Sequence, residues 1–373
     1  MSDTLASYLI VWRTIALRDR EVIDALVHPE HAGPSPALAA ALARWPGRYY
    51  WSAEKDGRHL VLTRRTEQPI TEAWWLHVAL LLATVFCTTY AGAVFQQTIE
   101  PSLFGPFSNP LSIDGRLLRT LATGLAFSLP LILILLAHEL GHFFTARRYQ
   151  LDTSPPYFIP VPIYPYLIGT MGAFIRLRTM LSDRRQLLDV GIAGPIAGFL
   201  IVVPVLWYGL AHSTPIPPER AVSSLVVWLG FDVGLGESLL TLGIRRLAGV
   251  GSQPLQLHPT AFAGWFGMFV TMLNLLPIAQ LDGGHIFYAA LPRWHKRAAI
   301  VFWAGIAVLG YINWHGWGVW AVLILLLSRG RLGHPPVLDA YRPLPRSRWW
   351  LAALALVLFA VTFSPIPFIV RQF

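Results

Sequence analysis

The sequence predicts a polytopic α-helical membrane protein with a small soluble α+β unit at its N-terminus. Of its 373 residues 54% are hydrophobic and 13% charged, with 15 tryptophans, a balance that soluble domains rarely show. From Trp74 onward, apolar runs recur that approach the roughly 20 residues a helix needs to cross hydrocarbon. The charge is also segregated. Residues 1–72 hold nine Lys/Arg and nine Asp/Glu, so the formal net charge of +9 resides wholly in the hydrophobic remainder. Basic loops beside apolar spans are what the positive-inside rule produces, so no nucleic-acid partner is expected.

Residues 1–72 begin without a signal- or transit-peptide pattern, so no cleaved targeting segment is expected. Helical patterns lie near Leu5 to Ile15 and Pro36 to Arg44. A hairpin follows, in which Arg48 to Ala53 and Arg58 to Thr63 flank the turn signal Glu54-Lys55-Asp56-Gly57. Residues 73–373 read as the membrane-embedded part. Long spans are expected near Trp74 to Val94, Leu121 to Phe144, Val190 to Leu210, Ala261 to Leu281 and Trp349 to Val370. Two shorter runs, Ala298 to Ile312 and Trp317 to Leu327, form either two short spans or one re-entrant hairpin around Asn313-Trp314-His315-Gly316, giving about five to seven helices. Ser223 to Val250 carries Asp232, Glu237, Arg245, Arg246 and several glycines, and reads as re-entrant or interfacial. If it does not cross, 23 Lys/Arg fall on one side of the membrane and six on the other, which puts residues 1–72 in the cytoplasm.

Chemistry concentrates in two places. Of the acidic residues beyond position 72, Glu139 lies inside a long apolar span and Asp282 directly ends the apolar run from Asn274, where an ionisable group is costly and marks function by default. Glu139 lies in His138-Glu139-Leu140-Gly141-His142, an H-E-x-x-H on a helix. That spacing puts both imidazoles on one face to hold a zinc ion, with Glu139 about 100° round the helix. The lone Cys87 offers no cysteine metal site and no intrachain disulfide. A catalytic zinc takes three protein ligands. Asp282, ending the run from Asn274 and brought to the same membrane side, is the third candidate. His285 competes with it, and His258, Asp232 and Glu237 are weaker rivals on or near the opposite side.

H-E-x-x-H followed by N-x-x-P-x-x-x-L-D-G, here Asn274 to Gly283, resembles the site-2 protease family of intramembrane zinc metalloproteases, over about Leu121 to Leu291. His258-Pro259, Ala263-Gly264-Trp265 and Thr271 to His285 look most like the branch of plastid proteases named for ethylene-dependent gravitropism deficiency, and their bacterial relatives. The resemblance implies one Zn²⁺ per chain on His138, His142 and Asp282, with Glu139 activating water. It implies a membrane-spanning protein as substrate, cut within or near the lipid bilayer, and a multi-pass protein of a bacterial inner membrane. Gly172-Ala173-Phe174 corresponds to the family's G-x-F element, a membrane-associated β-hairpin that presents an edge strand to substrate. From its residues alone, Met171 to Leu177 is simply a short strand. Asn274 looks like the residue that hydrogen-bonds the substrate backbone or developing oxyanion, against a reading as polar glue between helices. Gly194-Pro195-Ile196-Ala197-Gly198 matches a glycine-proline motif, best read as close helix contact at a kink. Ala211 to Thr260 is too short and irregular for the PDZ domain that many relatives carry.

Two other readings compete. A zinc-binding membrane protein that transports or senses metal would not need Glu139 beside its ligands, and the sequence offers no second set of intramembrane donors. An inactive relative serving as a scaffold would be expected to have lost Glu139 or a ligand, and none is missing.

Overall fold

A computed structural model describes residues 3–16, 20–54, 57–65, 72–96, 121–162, 168–178, 181–217, 224–228, 231–337, 339 and 342–371. At the N-terminus, strands β1 (Leu9–Ala16), β2 (Arg20–Val27), β3 (Arg48–Glu54) and β4 (Gly57–Arg65) form an antiparallel sheet of order β1-β2-β4-β3. Helices α1 (Asp3–Ala6) and α2 (Pro36–Ala43) cover one face, burying Leu5, Leu38 and Leu42 against Leu9, Ile23, Leu60 and Leu62. The helix expected near Leu5 to Ile15 is therefore one helical turn followed by a strand. The run Leu9-Ile10-Val11-Trp12 is β-branched and aromatic, and pairing with β2 satisfies its backbone in a way no helix there would. The unit rests on the remainder through Arg48 and Gln150 (2.5 Å) and through Ser182 Oγ, which donates to Tyr50 Oη at 2.8 Å.

The chain is otherwise mostly helical. Among the described residues, three helices are long and apolar enough to cross a membrane: α3 (Trp74–Phe95), α4 (Leu125–Arg148) and α5 (Arg184–Ala211). Between α4 and α5, strands β5 (Tyr157–Pro160) and β6 (Thr170–Phe174) pair antiparallel, Tyr157 opposite Phe174 and Phe158 opposite Ala173. Beyond α5 come β7 (Thr214–Pro215), β8 (Ser224–Trp228), β9 (Phe231–Leu235), the short helix α6 (Leu239–Leu247), β10 (Leu255–Gln256) and helix α7 (Pro259–Asn274). Among its described residues, Ser223 to Val250 thus supplies two strands and a nine-residue helix capped by Ser238 and Thr241, none long enough to span.

Two expected spans end early. The apolar run Ala261 to Leu281 is helical only to Asn274. Pro277 cannot continue a helix, and Ala279 takes φ +50°, before α8 (Asp282–Ala290) begins. After α9 (Pro292–Ile312) and α10 (Gly316–Leu327), helix α11 (Arg346–Thr362) stops short of the expected Val370. Pro365 and Pro367 turn the chain into β11 (Phe368–Arg371), which pairs with β9 and completes a five-stranded sheet of order β11-β9-β8-β10-β7. Helices α9 and α10 form an antiparallel hairpin in which Trp303 Nε1 donates to the Ala321 carbonyl at 2.9 Å. Exposed tryptophans mark the starts of α3 (Trp74, Trp75), α9 (Trp294) and α11 (Trp349, Trp350), the distribution of an interfacial aromatic belt.

Candidate metal centre

The i, i+4 spacing on α4 puts His138 and His142 one turn apart, both buried, with their Nε2 atoms 3.2 Å from each other. Asp282 Oδ2 lies 3.1 Å from His138 Nε2 and 3.4 Å from His142 Nε2. Donors held about 2.0–2.1 Å from a tetrahedral ion stand about 3.3 Å apart, so this triangle has the size zinc requires. The protonation pattern agrees. His142 Nδ1–H donates to the Val190 carbonyl at 2.7 Å, which leaves Nε2 as the lone-pair nitrogen of the neutral ring. That lone pair faces a carboxylate oxygen and another imidazole nitrogen, an arrangement that is repulsive without a cation between them.

Helix α5 makes room for these rings. A Cβ on Gly194 would stand 2.1 Å from His142 Nε2, and one on Gly198 would stand 3.3 Å from His138 Nδ1. Gly141 returns the contact, since a Cβ there would meet the Ala193 carbonyl at 2.4 Å. The Gly194 to Gly198 motif therefore makes the close helix contact its composition suggests, and also forms the cradle of both imidazoles. That second role escaped the sequence reading, although glycines at i, i+4 opposite histidines at i, i+4 carried the signal.

Asp282 reaches the site by a different route. Helix α7 ends beside it, so the carbonyl end of one helix dipole and the amide end of α8 meet there. The first favours a cation, and the second favours the Asp282 carboxylate at the head of α8. The intervening loop is held by Ala279 N–H to the Leu332 carbonyl at 3.0 Å. Gly283 packs so closely that a Cβ would meet the Leu275 carbonyl at 1.9 Å. Among the described residues, His138, His142 and Asp282 are the group able to hold a metal ion. The rival His285 instead pairs through Nδ1 with His334 Nε2 at 2.7 Å, beneath the stacked rings of His334 and Tyr288. His258 caps the far end of α7, Glu237 pairs with Arg245 at 3.5 Å, and the side chain of Asp232 lies outside the described residues.

Glu139 is buried beside the donors, with the backbone of Ile175, the residue directly after β6, next to its carboxylate. Among the described residues, strand β6 has β5 on one side and no strand on the other. Residues of β6 form part of the wall of an apolar cavity of about 490 Å³, lined by Thr170 to Ala173, His138, Glu139 and Asn274 and extending to Phe266, Trp320 and Phe368. Gly172 takes φ +96°, which a side chain would resist. Phe174 is exposed and stacks on Tyr157 at 5.4 Å. Asn274 Nδ2 lies 3.5 Å from His138 Nε2. The cavity thus gathers every expected site residue except Phe174, His142 and Asp282, of which the last two adjoin it through His138.

Residues 126–311 match the model of peptidase family M50. The chain is 29% identical to the chloroplastic "probable zinc metalloprotease EGY1" of Arabidopsis thaliana over 82% of its own length and 56% of the relative's. It is 30% identical to the chloroplastic "probable zinc metalloprotease EGY2" of the same plant, over 73% of its length and 46% of the relative's. The EGY1 protein of Oryza sativa subsp. japonica is 27% identical over 82% and 53% respectively. The chain thus spans about half the length of the curated relatives it matches. Their chloroplastic designation lends no support to a bacterial inner membrane. No solved structure matches the chain.

Proposed function

This chain belongs to peptidase family M50 through residues 126–311, and from that premise we propose that it is a zinc endopeptidase that hydrolyses membrane-spanning proteins within or near the bilayer, in regulated intramembrane proteolysis. One observation carries the reading: His138 and Glu139 line an apolar cavity walled in part by β6, and His142 and Asp282 join His138 in a group able to hold a metal ion. Zinc held by His138, His142 and Asp282 supplies Lewis acidity toward a peptide carbonyl and acidifies a water molecule. Glu139 takes a proton from the attacking water at its carboxylate and passes it to the departing amine. A helical substrate hides its carbonyls in its own hydrogen bonds, so it must be extended before it is cut. Addition of that extended segment to β6 beside Gly172 and Phe174 meets this need. The Asn274 amide, close to His138, suits a hydrogen bond to the substrate backbone or its carbonyl oxygen.

In the same reading, residues 73–373 are the membrane-embedded protease domain of five to seven spans, with a catalytic core at about 121–291. β5 and β6 lie against the membrane, and residues 1–72 form a cytoplasmic unit. The 23 to 6 division of basic residues supports this orientation. Metal transport is the weaker reading, because Glu139 beside the ligands serves hydrolysis and the described residues hold one candidate donor group.

The test is cleavage of a model single-span protein by the purified full chain in detergent and in liposomes. Native protein should cut, Glu139→Gln should keep zinc without cutting, and Phe174→Asp should raise KM with zinc retained. An unchanged rate in Glu139→Gln, with contaminating proteases excluded, would overturn the proposal.

A further inference from the structure

The carbonyl that orients His142 belongs to Val190, and the residue before it, Asp189, is where three helices meet. Tyr149, directly after α4, donates its hydroxyl to Asp189 Oδ2 at 2.5 Å. Arg348, in the first turn of α11, donates Nε–H to Oδ1 at 2.9 Å and Nη2–H to Oδ2 at 2.8 Å. Arg185 adds a longer contact at 3.9 Å. The Asp189 side chain is 10% exposed, so this fork and hydroxyl occupy most of what a carboxylate can accept.

The connectivity forms a clamp. Tyr149 lies about two turns beyond His142, at the C-terminal cap of the same helix, and reaches back to Asp189. His142 itself bonds the next residue, Val190, which is buried against Ala146 and Leu151. Helix α4 is thus held to one short piece of α5 at two points, one of which is a metal-donor ring. Arg348 braces that piece from a helix outside the segment matched to the family.

We propose that Asp189, fixed by Tyr149 and Arg348, is a positioning residue for the metal centre: it sets the rotation and height of the second turn of α5 so that the Val190 carbonyl holds His142 in the tautomer whose Nε2 is free to bind metal. This rests on reading the His138, His142 and Asp282 group as a zinc site. It extends that reading to two residues, Asp189 and Arg348, that touch neither metal nor substrate.

The experiment uses the purified full chain in detergent and measures zinc affinity by chelator competition, the visible spectrum with Co²⁺ in place of zinc, and thermal unfolding. Asp189→Asn should weaken zinc binding by about 10–100-fold, the range for partners behind metal ligands, and alter the cobalt spectrum. Arg348→Lys keeps the charge but loses the fork, and should give a smaller loss in the same direction, as should Tyr149→Phe. Where a model substrate is cut, kcat should fall more than KM rises. A lower unfolding temperature with native zinc affinity and native cobalt spectrum would make the cluster a structural staple and overturn the proposal. If Asp189→Asn fails to fold, Arg348→Lys and Tyr149→Phe decide, and native zinc affinity in both overturns it equally. A native chain that takes up no zinc would overturn the metal-centre reading itself, a result distinct from native uptake with unaffected variants.

Discussion

The two halves of the proposed metal site are built on opposite plans. His138 and His142 stand on an unbroken helix, and their geometry follows from its period, with α5 supplying space through Gly194 and a hydrogen bond through Val190. Asp282 stands where one helix has stopped and another begins, on a loop fixed by scattered backbone bonds and by Ala279 at φ +50°. The helical half tolerates little in its packing but needs little help from its backbone. The loop half is packed as tightly at Gly283 but depends in addition on its backbone conformation. Substitutions on each side can break or sharpen that contrast.

The largest effect should come from the helical half. Glu139→Gln preserves the helix and the donors but removes the base, so cleavage should fall by about 10²–10⁴-fold while metal analysis shows about one zinc per chain. Next is ligand identity in the loop half. Asp282→Ala should lose metal outright, whereas His285→Ala, whose ring pairs with His334, should keep it. Full zinc in Asp282→Ala with none in His285→Ala would reverse the assignment. Third, Gly194→Ala pushes a methyl into the His142 ring and should weaken zinc by about 10–100-fold. Gly198→Ala, with 3.3 Å of clearance, should cost clearly less in the same competition assay. The smallest effect tests the loop backbone. A non-glycine residue in the left-handed region costs about 1–2 kcal/mol, partly offset by the unfolded-state freedom glycine regains. Ala279→Gly should therefore leave zinc affinity intact and shift thermal stability by less than about 1 kcal/mol, while Ala279→Val should be clearly destabilising. Equal sensitivity of the two halves to such backbone changes would dissolve the contrast.

The same contrast explains what was legible in the sequence. Helical content and the histidine pair are periodic features, so α3, α4 and α5 fell close to the expected runs. The loop half was legible only as composition. An apolar stretch looks alike in helix and loop, so Ala261 to Leu281 read as one span although Pro277 ends it, and Trp349 to Val370 hid a strand behind two prolines. Leu5 to Ile15 went wrong for a related reason, because its β-branched run found a partner strand that no local pattern announces. Val190 reaches His142 through its backbone carbonyl, which any residue type could supply, so no side-chain pattern could have named it.

His142 lies five residues before Arg147, about 8 Å along α4, on the side where the tryptophans of α3, α9 and α11 gather. On the proposed reading, this shallow depth governs how the products part. A substrate cut at that level leaves its cytoplasmic piece with only a few apolar residues, far short of the roughly 20 that hold a helix in lipid. The other piece keeps nearly its whole anchor. The hydrolysis is then irreversible in space as well as in chemistry, since one product diffuses into water while the other stays in the membrane.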